Sequence, residues 1–126
     1  MRPSANIDVA RVYDQPAGEG RLRILVDRLW PRGISKHHLH YDYWIPEIAP
    51  SNELRKWFGH DPAKWDEFRS RYRDELGGNP DVVDRCLDLC RDRPVTLLFA
   101  AKDVKYNQAV VLREYLIERV SNAQSA

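Results

Sequence analysis

Apolar residues first cluster in Ile7-Asp8-Val9-Ala10-Arg11-Val12-Tyr13, which alternates in part and predicts a strand ended by Pro16 and Gly18. A second strand is predicted over 22–28. Its centre, Ile24-Leu25-Val26, is continuously apolar, the pattern of a strand covered on both faces. It stops at Trp30-Pro31-Arg32-Gly33. From 33 to 51 no helical period emerges, and Tyr41-Asp42-Tyr43-Trp44-Ile45-Pro46 reads as extended. An irregular run of about 20 residues is unusual inside a compact domain and is either functional or a structural Ω-type loop.

Helical periods begin after that run. Ser51 or Asn52 can cap a short helix carrying Leu54, Trp57 and Phe58, and Gly59 ends it. Asp61-Pro62 puts a cap residue before a proline at the first helical position. The stripe that follows, Trp65, Phe68, Tyr72 and Leu76, keeps to helical spacing until Gly77-Gly78. Asn79-Pro80 repeats the start signal, and Val82, Val83, Cys86, Leu87 and Cys90 form the apolar stripe of a third helix that closes at Arg93-Pro94. Val95-Thr96-Leu97-Leu98-Phe99-Ala100-Ala101 is the most apolar run of the chain and is placed at the centre of a sheet. The loop Lys102-Asp103-Val104-Lys105-Tyr106-Asn107 leads into a last helix with Ala109, Leu112, Leu116 and Val120 inward. The small polar tail 121–126 is expected to fray. This order predicts an α/β fold: a small, mostly parallel sheet with helices packed on it, one domain over 1–126 with its core at about 7–120.

Composition narrows the function classes. With 20 basic and 19 acidic residues the net charge is +1, which argues against a strongly basic nucleic-acid binder. No stretch approaches the ~18 apolar residues of a membrane span. Met1-Arg2-Pro3-Ser4-Ala5-Asn6 leads into no apolar run of signal-peptide type. The chain is therefore expected to be cytoplasmic, with neither nucleic acid nor membrane as partner. Cys86 and Cys90, four apart on one helix, read as buried thiols acting as small apolar residues. The sequence sets no oligomeric state.

In open α/β sheets ligands bind beyond the carboxyl ends of the strands. Two such ends are rich in polar groups. At the first, Asp27, Arg28 and Arg32 meet beside Trp30, and an arginine there can grip a carboxylate or phosphate while Asp27 orients it. The competing reading is an internal Asp–Arg pair that fastens the long loop. At the second, Asn107 can cap the last helix, whose free N–H groups suit an anion, with Lys102 and Gln108 beside it. The competing reading is an ordinary capped helix. His37-His38-Leu39-His40 and His60-Asp61 read as exposed loop residues rather than metal ligands, because nothing in their spacing makes three ligands converge. The basic positions Arg69, Arg71 and Arg73, interleaved with acids, read as a solvated helix face with local pairing. Dinucleotide, P-loop and serine-hydrolase signatures are absent, and no cofactor is expected.

One resemblance is specific. Arg23-Ile24-Leu25-Val26-Asp27-Arg28-Leu29-Trp30-Pro31-Arg32-Gly33 followed by Ser35-Lys36, then Ala49-Pro50-Ser51, Leu54-Arg55-Lys56-Trp57-Phe58-Gly59-His60-Asp61-Pro62, and Leu97-Leu98-Phe99-Ala100-Ala101-Lys102-Asp103 resemble the YeaO branch of the domain of unknown function 488 family, over about residues 7–118. The resemblance implies a small cytoplasmic α/β domain with no settled biochemical role, whose polar strand-to-helix loop lies near a polar strand end. In the wider family that loop often holds Cys-His-Arg, and in this branch Asn-His-Ala. Here it reads Asn107-Gln108-Ala109, and glutamine cannot titrate as histidine would, though it still donates and accepts hydrogen bonds.

The reading is a domain that binds a small anionic molecule between the two polar strand ends. Asp27 is the candidate catalytic group. Arg28, Trp30, Arg32, Lys36, Trp44, Lys102, Asp103, Asn107 and Gln108 are the candidate binding residues, with Trp30 and Trp44 as walls. The alternative is a protein-interaction module without chemistry, anchored on the aromatic segment 41–46.

Overall fold

The computed structural model describes residues 6–14, 20–91 and 93–125, with the side chains of 121–125 left aside. Four strands, β1 (Ile7–Arg11), β2 (Leu22–Leu25), β3 (Tyr43–Trp44) and β4 (Val95–Phe99), form one sheet in the order β1-β4-β2-β3. Every described pairing is parallel. β4 is therefore internal, as its unbroken apolar run predicts, and all five of its residues are buried. The strands are shorter at their carboxyl ends than the apolar runs suggest, because the chain leaves the sheet there to build loops. The turn expected at 15–20 lies, apart from Gly20, outside the described residues.

The two faces of the sheet are covered differently. Ile7, Leu22, Ile24, Val26, Val95, Leu97 and Phe99 point to one face. There they meet all four helices: α1 (Asn52–Phe58), α2 (Trp65–Gly77), α3 (Pro80–Arg91) and α4 (Gln108–Ser125). On the other face Val12, Leu25 and Leu98 pack under Leu39, Trp30, Ile34, Tyr41 and Trp44. The long irregular run thus supplies a layer that a helix would supply in a doubly wound sheet. It runs past Val26, and its backbone ties to β2 where the Asp42 N–H donates to the Arg23 carbonyl (2.8 Å) and the Ile45 N–H to that of Leu25 (3.0 Å). α4 continues beyond Val120 to Ser125, past the point where its apolar period stops.

The predicted helix starts work as their chemistry requires. Ser51 Oγ accepts from the Leu54 N–H (3.1 Å), and Gly59, left-handed at φ 53°, closes α1. Asp61 accepts from the Ala63 N–H (3.0 Å) and opens a single 3-10 turn, Pro62–Lys64, that runs into α2. Asn79 instead sends its amide to the Glu47 carbonyl (3.2 Å). The basic run on α2 is only partly local. Arg71 pairs with Glu67 on its own helix, but Arg69 and Arg73 reach Glu114 (2.7 Å) and Glu118 (2.8 Å) on α4. The Arg73 N–H is not aimed along a hydrogen bond, so that contact is charge proximity alone. Cys86 and Cys90 are free and buried, and burial pushes their thiols up to about 12 and 11. Among the described residues no helix is long and apolar enough to cross a membrane.

Two polar ties anchor the loop before α1 to α2. Glu75 accepts from both the N–H (2.8 Å) and the hydroxyl (2.6 Å) of Ser51. Tyr72, fully buried, donates its hydroxyl to the Ile48 carbonyl (2.7 Å). Removing that donor strands a buried carbonyl. Tyr72→Phe is expected to lower stability by about 1–2 kcal/mol in urea unfolding, and an unchanged midpoint would contradict this account.

Candidate functional site

β2 and β4 are adjacent and parallel, so the loops at their carboxyl ends leave the sheet side by side. Between them lies a hollow of about 630 Å³, within the range of small-molecule sites. Most of its wall comes from the loop after β2, the Ala49-Pro50 corner and the loop from β4 into α4, with further residues from the end of β1, from α1 and α2 and from their connection.

Asp27 sits at the junction. Its Oδ2 accepts from the Ala100 N–H (3.0 Å), and its Oδ1 accepts from the Gln108 amide. One carboxylate therefore joins the end of β2, the end of β4 and the first residue of α4. Burial raises its pKa to about 6. The Ala100 N–H, the Gln108 amide and the positive charge of Arg55 each pull the other way without cancelling it. The Gln108 amide is oriented by this contact: an ionised carboxylate only accepts, so the nitrogen faces Asp27 and the carbonyl oxygen faces away.

Asp27 does not orient Arg28, contrary to the sequence-based expectation. The Arg28 guanidinium donates from Nε to the Pro50 carbonyl (3.0 Å) and from Nη2 to that of Ala49 (3.0 Å). Carbonyl oxygens are good guanidinium acceptors, and two of them converge where the chain turns toward α1. Arg28 thus fastens that corner to the end of β2, and its charge pairs with no carboxylate among the described residues.

Of the other predicted site residues, Trp30, Arg32, Lys102, Asp103, Asn107 and Gln108 line the hollow. Asn107 does so as a buried helix cap: its Oδ1 accepts from the Val110 N–H (3.2 Å) and its amide donates to the Asp103 carbonyl (2.9 Å). Asp103 turns its carboxylate onto the N–H groups of Tyr106 (3.0 Å) and Lys105 (2.9 Å), which lower its pKa. Trp30 donates its indole N–H to the Ile34 carbonyl (2.6 Å), bracing the loop. Arg32 and Lys102 are exposed at the mouth, and neither pairs with a described carboxylate.

Trp44 and Lys36 are not brought to the hollow. Trp44 ends β3 and packs edge-on against Trp30 (5.6 Å between centroids) in the layer over the second face. Its indole N–H donates to the main-chain carbonyl of Asp27 (2.7 Å), behind the site. Lys36 lies over the same two rings, its Nζ 5.8 Å and 6.0 Å from their centroids. Along 41–46, Ile45 is fully buried, and Tyr43, 41% exposed, is the one large hydrophobic residue of that segment left open. The His37-to-His40 cluster stays on the loop layer, and no group of three His, Cys, Asp or Glu side chains among the described residues could hold a metal ion.

The sequence reading missed Tyr13, Arg55 and His60, all of which line the hollow. Tyr13 donates its hydroxyl to the Arg32 carbonyl (2.8 Å), fixing the loop after β2 from the end of β1, on the far side of β4. His60 is the one described non-glycine residue with positive φ, at 59°, immediately after Gly59 at 53°. Two successive left-handed residues are needed to turn the chain from α1 back toward the mouth. Non-glycine residues held this way cluster at functional sites.

The structure thus defines a small parallel α/β domain with its polar centre beyond the carboxyl ends of β2 and β4, and with both of its cysteines in the core. A family model described as the inactive DUF488-N3 subclade matches residues 6–126, and the chain belongs to that family. It is 44% identical over 111 residues to "Uncharacterized protein YeaO" of Escherichia coli (strain K12), an alignment covering 88% of this chain and 96% of that protein. It is 38% identical over 116 residues to "Uncharacterized protein Rv3073c" of Mycobacterium tuberculosis (strain ATCC 25618 / H37Rv), covering 92% and 98%. No solved structure matches the chain.

The Asp27 shift sets the sign of a pH effect. A carboxyl whose pKa is about 6 folded and near 3.8 unfolded binds protons more tightly in the folded state. Its contribution therefore favours folding as pH falls from about 6 toward 4, and above 6 the ionised form costs about 3 kcal/mol. Asp27→Asn is expected to flatten this part of the stability profile and to gain about 1–2 kcal/mol at pH 7.5 in denaturant unfolding. A variant that is less stable and keeps the parent's slope between pH 4 and 6 would contradict the assignment.

Proposed function

We propose that this domain binds a small anionic molecule in the hollow between the ends of β2 and β4. The observation that carries the reading is the charge balance of the lining: Arg28, Arg32, Arg55 and Lys102 against Asp27 and Asp103. The two carboxylates are occupied, Asp27 by Ala100 and Gln108, Asp103 by its own loop. None of the four cations forms an ion pair with a described carboxylate, although the charge of Arg55 is felt at Asp27. Arg28 spends its bonds on neutral carbonyls, and Arg55 touches the Asn52 amide oxygen at 3.3 Å. A concave site with an excess of one charge and partly apolar walls concentrates counter-ions.

Recognition suits the site better than covalent chemistry. The two thiols of the chain are held protonated in the core, away from the hollow. Asp27, the group whose pKa lies nearest neutrality, is engaged on both oxygens. The description of the matching family as an inactive subclade agrees with a site that binds without turning its ligand over. Three of the cations (Arg32, Arg55 and Lys102) are exposed and serve as the gripping groups, while Arg28 shapes the wall behind them.

The test is calorimetric titration with inorganic phosphate and with small dicarboxylates at low ionic strength. Saturable binding is expected, weakened at least about tenfold in the triple variant Arg32→Gln, Arg55→Gln, Lys102→Gln, whose substitutions fall on exposed positions. No heat with any of these anions, or binding that the triple variant leaves unchanged, would overturn the reading.

A further inference from the structure

The polar groups of the hollow are sorted by depth. At the mouth stand the exposed donors Arg32, Arg55 and Lys102. Deeper, half-buried, stand Asp27 and Gln108. These two present acceptors. An ionised carboxylate offers about four lone-pair positions. Ala100 and Gln108 fill one on each oxygen of Asp27. The Gln108 carbonyl oxygen, turned away from Asp27, receives no hydrogen bond from any described residue. The inner end of the hollow therefore holds acceptor capacity in a poorly solvated place, the same shortage of solvent that lifts Asp27 to about 6. A simple anion such as phosphate can satisfy the mouth but has nothing to give the inner end. It would bring further negative charge toward Asp27 if it entered fully.

We infer that the ligand is a hydroxylated anion of the sugar-phosphate class, bound with its anionic group among Arg32, Arg55 and Lys102 and its hydroxyl groups donating inward to Asp27 and Gln108. This rests on the anion-site reading above and adds the inner half of the ligand to it. An amine at the inner end fits less well, because the cation of Arg28 is held in the adjoining wall by the Ala49 and Pro50 carbonyls. Phe58, Phe68 and the Ala49-Pro50 corner supply apolar surface for the carbon skeleton. The glutamine at the start of α4 also gains a role on this reading. A glutamine beside Asn107 cannot take a proton, but it can hold Asp27 with one amide atom and a hydroxyl with the other.

The experiment is a comparison of two probes on the full chain at pH 7.5, inorganic phosphate and ribose 5-phosphate, by calorimetry. Ribose 5-phosphate is expected to bind at least about tenfold more tightly, because hydroxyl-to-carboxylate bonds are charge-assisted. In Asp27→Asn that preference should shrink to within about threefold while phosphate itself binds as well or better, one negative charge having gone from the lining. Gln108→Ala should reduce the preference without strengthening phosphate. If phosphate binds and ribose 5-phosphate binds no better to the unmodified protein, the inner half of the proposal is wrong and the anion site stands. If neither binds, the anion site itself falls. A preference retained in both variants would overturn the assignment of Asp27 and Gln108.

Discussion

The structure turns on one carboxylate. Asp27 leaves β2 just past the last paired residue and bonds to the backbone of Ala100, just past the end of β4, and to the side chain of Gln108 at the start of α4. Parallel strands cannot be joined at adjacent ends by a tight turn, so the loops at their carboxyl ends are free to splay. Here a single acceptor group ties two of them and a helix together. Its own main-chain carbonyl takes the Trp44 indole N–H, which adds β3 to the same knot. The cost is a buried charge, visible in a pKa raised to about 6. The gain is a fixed opening between two loops that would otherwise have no reason to hold a shape.

Around that knot the chain divides its polar residues between structure and availability. Arg28 fastens the Ala49-Pro50 corner, Asn107 caps α4, Asp103 closes its own loop and Tyr13 steadies Arg32. Each spends its hydrogen bonds on backbone. What remains open is a small set, Arg32, Arg55 and Lys102 outside and the spare acceptors of Asp27 and Gln108 inside. The anion reading rests on this division together with the excess of cations over carboxylates in the lining.

Much of the fold is legible in the amino-acid order because its signals are local. The Asp61-Pro62 start, the Gly59 stop, the Trp65 to Leu76 stripe and the unbroken run at Val95 each act over a few residues. The two polar strand ends are legible for a different reason, since parallel α/β sheets put their ligand sites at carboxyl ends. Partner choice is not legible. Asp27 and Arg28 are adjacent and opposite in charge, yet β2 sends them to different neighbours. Trp44 looks like a pocket wall until the register of β3 with β2 puts it behind the site. Arg55 reaches the hollow from α1 and His60 from the α1–α2 connection, where it takes a left-handed conformation that its identity does not announce. The irregular run after Gly33 shows the same limit: its lack of period is plain, but its service as the second layer of the sheet depends on contacts with Leu25 and with Leu98, the latter far away in sequence.

The most direct measurement is the ionisation of Asp27 itself, followed through its side-chain carboxyl carbon by NMR across the acid range. A carboxylate enclosed between Ala100 and Gln108 at the inner end of a small hollow should titrate with a midpoint at about 6, and Gln108→Ala should move that midpoint upward by removing a donor to the charged form. A midpoint in the ordinary carboxylate range near 3.8, unmoved by the Gln108 substitution, would mean that Asp27 stands in open solvent and that the knot on which the site depends is not there.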